Sequence, residues 1–147
     1  MVEVIIVLVV LGILVVLILN SLQTVQAKSR DATRRSNVDN IAQQLENCWG
    51  DKDKCNSSYP SVSQLTDTSP SGFVATNLPN FSNDWLYDSS NGVIQSGNAS
   101  AATQYQYTTS PDNCTGTGGE ILCRGFTLKA YQETNTGHPY VKESFNK

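Results

Sequence analysis

Sixteen consecutive residues, Val4 to Leu19, carry neither a charge nor a polar side chain, and a single carboxylate, Glu3, stands at their head. This stretch, "MVEVIIVLVVLGILVVLILN", limits the fold more than any other. A run of this length is at the short limit for crossing a bilayer. It can serve as a signal peptide, a membrane anchor or a buried helix. A signal peptide begins with a basic region and ends at a small-residue cleavage site. Here no Lys or Arg precedes the run, and "LILNSLQTVQAKSR" continues without a clear break, with Ala27 as the one cleavage-like position. An uncleaved anchor is the favoured reading. Its many β-branched residues lower helicity in water. In lipid they do not prevent a helix, because each backbone group must find its partner within the segment.

From Ser21 the pattern turns amphipathic. Leu22, Val25, Ala32, Val38, Ile41, Ala42, Leu45 and Cys48 recur at steps of three and four and are expected to form the inward stripe. Asp31 is placed to reach Arg34 and Arg35 along the helix surface. No Pro occurs before Pro60, and Gly12 is the only Gly before Gly50, a fair stop signal. The expectation is one helix from about residue 2 to about 48, roughly 70 Å long. Such a helix is too long for a domain of this size, so its first half must be buried in lipid or in other copies of itself.

The remainder is polar. The first tenth of the chain is far more apolar than the rest, so the overall hydrophobic fraction of 39% overstates what the head has to build a core from. "GDKDKCNSSYPSVSQLTDTSPSGF" reads as a connecting loop with one helical turn near Val62 to Leu65. "QYQYTTS" (104–110), which alternates, "ILCRGFTLKAYQE" (121–133) and "HPYVKESF" (138–145) read as three antiparallel strands. Phe126, Leu128 and Ala130 alternate with Thr127, Lys129 and Tyr131, and the last strand follows a turn at Asn135-Thr136-Gly137. The fold class is therefore α+β: a long N-terminal helix whose C-terminal half packs on a small antiparallel sheet. Residues 1–24 form the hydrophobic half. Residues 25–147 form the head, divided into helix (25–48), loop region (49–100) and sheet (101–147).

Four cysteines fall as two local pairs. An even count in a small polar head reads as two disulfides and an oxidising compartment. Of three connectivities, Cys48–Cys55 and Cys114–Cys123 are favoured, because short loops close at least cost. Spacing and the single His argue against zinc.

No catalytic constellation emerges. His138 reads as a surface residue beside a turn. "CTGTGGE" lacks the Lys and the strand–helix setting of a phosphate loop. Asp51, Asp53, Asp84, Asp88 and Asp112 are loop carboxylates without EF-hand spacing. Asn56, Asn80, Asn98 and Asn113 head glycosylation sequons of the kind a Ser/Thr/Asn-rich chain generates by chance. Trp85, Tyr87, Tyr105, Tyr107 and Tyr131 are read as aromatic core in preference to a binding patch. A net charge of -3 argues against nucleic acid as the main partner. No metal, cofactor or enzymatic activity is expected.

Orientation poses a contradiction. Lys28, Arg30, Arg34 and Arg35 follow the apolar run and by the positive-inside rule place the head in the cytoplasm. The cysteines place it outside. A basic leader removed from in front of the chain would reconcile the two.

In these features the chain resembles the type IV pilins and pseudopilins. The resemblance rests on "VEVIIVLVVLGILVVLILNSL", with Gly12 nine residues after Glu3, and on "AKSRDATRRSNVDNIAQQLE". It is weaker through "YPSVSQL", "NLPNFSNDWLYD" and "YQYTTSPDN". The resemblance implies a basic leader cut by a membrane-bound prepilin peptidase, which then methylates the new terminus. It implies a membrane-held subunit that an assembly machine extracts into a helical homopolymer at the cell surface. Glu3 would there pair with the terminal ammonium of a neighbour, at Met1. Two positions depart from the pattern: Glu3 lies two residues nearer the terminus than usual, and Asn20 stands where many pilins have Pro. Local helix loosening between Gly12 and Asn20 is thus compatible with the family but not demanded. The expected role is a structural pilus subunit serving adhesion, twitching motility or DNA uptake. The alternatives are a pseudopilin of a secretion or competence system, or a non-polymerising single-span protein with a small binding head.

Overall fold

The computed structural model describes residues 2–87, 94 and 105–146, without the side chains of 18–21. Helix α1 runs unbroken from Val2 to Gly50. Nothing within it lacks a backbone donor, so it ends only where Gly50 meets Asp51. Asp51 caps the next helix, α2 (Lys52–Cys55), by accepting from the N–H groups of Asp53 (3.1 Å) and Lys54 (3.3 Å). The Cys48–Cys55 disulfide staples the two helices together.

The region read as a loop is more ordered than its composition predicts. It holds α2, α3 (Val62–Leu65), α4 (Phe73–Asn77) and a 3-10 turn (Asn83–Leu86). Local hydrogen bonding explains this. Ser61 and Gln64 form a reciprocal capping box at α3. The Gln64 amide then spans to the loop between the first two strands: its Nε2 donates to the Thr117 carbonyl (2.9 Å) and its Oε1 accepts from the Thr117 N–H (3.0 Å). Gly116, beside it, has φ +90°, and a Cβ there would lie 2.6 Å from the Ser61 nitrogen. Only glycine suits both the conformation and the space.

Strands β1 (Tyr105–Ser110), β2 (Gly125–Ala130) and β3 (Tyr140–Glu143) form an antiparallel meander in that order. Tyr107 faces Leu128, and Thr127 faces Glu143. The β1–β2 loop carries the Cys114–Cys123 disulfide. Tyr105, Tyr107, Phe126, Leu128 and Ala130 meet Val38, Ile41, Ala42 and Leu45 of α1 in the core. Rings extend that core: Trp49 stacks on Tyr59 at 4.6 Å, and Tyr59 meets the edge of Phe126 at 4.8 Å. The chain is thus an α+β protein with a pilin-like layout, a long apolar N-terminal helix leading into a small three-stranded head.

Three assignments require correction. Leu22, Val25 and Ala32 are exposed, not part of the inward stripe. At 100° per residue they lie on the side of α1 turned away from the head, and the buried line continues downward through Arg34 and Asp31 instead. Of the aromatic set, Tyr105 and Tyr107 are core, Trp85 and Tyr131 are half-buried, and Tyr87 is exposed. β1 does not alternate in burial, since Gln106 is covered along with both tyrosines.

Candidate functional site

The described features converge on α1, which has two differently treated halves. From Val2 to Leu17 every large side chain is between 49% and 71% exposed. Among the described residues no part of the head covers this segment, which is long and apolar enough to cross a membrane. Glu3 lies in the first turn, where a carboxylate suits the positive end of the helix. Gly12 opens a shallow groove between Val9, Ile13, Val16 and Leu17. A Cβ at Gly12 would meet nothing within 4 Å in the isolated chain.

The second half is fastened to the sheet by charge as well as by core packing. At the lower edge of the head, Asp31 accepts from the N–H groups of Glu133 (2.8 Å) and Thr134 (2.9 Å) and from the Thr134 hydroxyl (2.6 Å). Arg34, only 2% exposed, bridges Asp31 at 3.0 Å and Glu133 at 2.6 Å. Arg30 donates through Nε to Glu133 at 2.9 Å. This hydrogen bond from Arg30, aided by Arg34, holds the Glu133 carboxyl down at about 2 against the cost of partial burial. Burial is the largest single influence on Asp31 and opposes its charge. The Thr134 and Glu133 hydrogen bonds together with Arg34 outweigh it, and the carboxyl stays below its ordinary value.

Higher up, Asp39 accepts from the Tyr140 hydroxyl (2.9 Å) and pairs with Lys142 (3.2 Å). Arg35 lies over the Tyr140 ring. The Glu46 carboxylate accepts from the Phe145 N–H and the Tyr59 hydroxyl, both at 2.9 Å. Sequence reading anticipated the Asp31–Arg34 pair along the helix and missed the rest of this set. Glu133 lies about a hundred residues from Arg34 in the chain. The only available signal was that Asp31 and Arg34 continue the three- and four-residue steps of the buried stripe.

Both cysteine pairs are bonded as expected. Met1 lies outside the described residues, as does the Asn20 side chain, so the geometry of the Glu3–ammonium pair is not part of the described structure. α1 passes through Gly12 and Asn20 without a break. His138 is exposed, its N–H bonded to the Asn135 carbonyl. Asp51 is committed to capping and to Lys54. Among the described residues no three His, Cys, Asp or Glu side chains come together as a metal cluster. Asn56, Asn80 and Asn113 are exposed, whereas Asp88 and Asn98 lie outside the described residues.

No protein-family model, no curated protein and no solved structure matches the chain. Its functional reading therefore rests on its own geometry and on the pattern around Glu3 and Gly12.

Proposed function

We propose that the chain is a pilin-type subunit that polymerises into a helical filament through its N-terminal helix. One observation carries the reading. Residues 2–17 are apolar on every side and exposed, on the same helix whose other half is locked into a head. Burying one such side chain contributes about 1.5–3 kcal/mol. Fourteen of these sixteen residues carry such a side chain, and a surface of that kind cannot stay in water. Their length, roughly 24 Å at helical rise, approaches the hydrocarbon thickness of a bilayer. Lipid is the natural environment before assembly, and the same segments of other copies are the natural environment after it.

Glu3 fits this sequence of environments. A lone carboxylate at the lipid edge gains a partner when a neighbouring copy brings its terminal ammonium alongside. In this reading a prepilin peptidase matures the chain, an assembly machine extracts it from the cytoplasmic membrane, and the heads face outward on a surface filament. Adhesion, twitching motility or DNA uptake would be functions of those heads.

The test combines microscopy with a variant. Negative-stain images of surface material from producing cells should show long filaments containing the chain. Glu3→Ala should leave the protein in the membrane and abolish or slow filament formation. Short, secretion-dependent filaments would instead indicate a pseudopilin. Purely monomeric protein would indicate a simple anchor and sink the proposal.

A further inference from the structure

The misassigned residues Leu22 and Val25 carry a consequence of their own. They are 47% and 58% exposed, although they lie outside the uninterrupted apolar run. At 100° per residue, the head-facing line through Asp31, Arg34, Val38, Ile41 and Leu45 defines one side of α1. Leu22, Val25 and Ala32 fall on the opposite side. That back continues upward through Ser29, Ser36 and Gln43, all exposed and uncharged. Of the charges of the helix from Lys28 to Glu46, all but Asp39 lie at least about 75° from the centre of that back, and Asp39 is engaged by Tyr140 and Lys142 of the head. Charge on a solvated helix normally spreads over its exposed surface. Here it is withheld from the face with the most room for it.

The Gly12 groove lies on the other side of the same helix, in line with the head and below it. α1 thus carries an apolar ridge on its back and a notch on its front. The centres of ridge and notch are about ten residues apart, or roughly 15 Å along the axis. Ridge and notch on opposite faces cannot satisfy each other in a closed two-fold pair. They make a heterologous contact, which propagates from copy to copy. Copies held in one membrane also share one orientation, so their helices pack parallel.

We propose that the Leu22–Val25 ridge of one copy seats in the Gly12 groove of a second copy displaced by roughly 15 Å along the helix axis. The inference rests on the filament reading above and adds to it the face and register of the contact. The occupant is a second copy because the ridge runs without a charged break into the apolar half that the polymer must cover. It also carries no charge with which to recruit a polar partner.

Paired cysteines test the register. Val16 lines the groove and Val25 forms the ridge. Within one chain they are about 14 Å apart, beyond the roughly 7 Å Cα limit of a disulfide. Mild oxidation of filaments bearing Val16→Cys and Val25→Cys together should yield a ladder of covalent multimers, and either single variant should not. Val25→Lys should reduce filament yield at least tenfold while far-UV circular dichroism of the solubilised protein is unchanged. Gln23→Lys, on the other side of the helix, should leave the yield as it was. Normal filaments without a ladder would overturn the ridge-and-groove contact and leave the filament reading standing. Equal loss with Gln23→Lys and Val25→Lys would do the same. Absence of filaments from the unaltered chain would overturn both.

Discussion

The two halves of α1 belong to one continuous helix and obey opposite rules. Between Val2 and Leu17 every side chain but that of Glu3 is apolar, and none is covered by the described rest of the chain. Between Asp31 and Cys48 only one face is apolar, and that face is buried. The first half has no folded surroundings of its own, whereas the second has little but its surroundings. Helix propensity is not the distinction, since β-branched residues crowd the half that depends least on the head. The difference is where the buried surface is supplied: from the same chain in one half and, on the proposed function, from lipid or other copies in the other. A substitution should therefore change head stability when it falls in the upper half, and assembly when it falls in the lower.

Arg34→Ala should show this division most strongly. It strands Asp31 and Glu133 at the buried edge of the head, and loss of one partner from such a site costs about 3–5 kcal/mol. Denaturant unfolding of the solubilised chain should show that loss, and an unchanged midpoint would mean that the ion cluster is incidental. Leu45 is fully buried, so Leu45→Ala should cost about 2–5 kcal/mol by the same measurement. Removing the Cys114–Cys123 bridge by double Ser substitution should cost about 2–4 kcal/mol, as the loss of a loop closure. Non-reducing peptide mapping of the unaltered protein should recover Cys48–Cys55 and Cys114–Cys123 only.

A smaller effect concerns pH. Glu133 titrates at about 2 in the folded chain, against an ordinary value of 4.5. Its folded value is depressed, so its stabilisation is complete above the ordinary value and declines as pH falls from there towards 2. Acid titration should accordingly loosen the junction of helix and head across that window. In Glu133→Gln that part of the acid dependence should be missing. At the bottom of the scale, Leu14→Ala should leave head stability within about 0.5 kcal/mol, because the side chain touches nothing in the head. A large destabilisation there would show that the lower half is folded against the chain after all.

Much of this was legible in the residues. Val38, Ile41, Leu45 and Cys48 mark the inward face because helical period and burial coincide there. Phe126, Leu128 and Ala130 mark β2 for the corresponding reason in a strand. The cysteine pairs follow from short separations. The same periodicity misled at Leu22, Val25 and Ala32. The step of six from Ala32 to Val38 turns the apolar line by about 120° around the helix, so a series of short steps does not by itself stay on one face.

Local order thus settles what neighbouring residues settle among themselves: helix continuity without Pro, strand alternation, short-range bridges and a run too apolar for water. Contacts between distant residues are another matter. That Asp31 and Arg34 bury their charges against Glu133 and Thr134, that Glu46 holds the Phe145 N–H, and that Leu22 and Val25 face away from the head all depend on how the sheet docks. Each requires a site that exists only once segments some hundred residues apart have been brought together. No pattern within one helix encodes where that meeting ends.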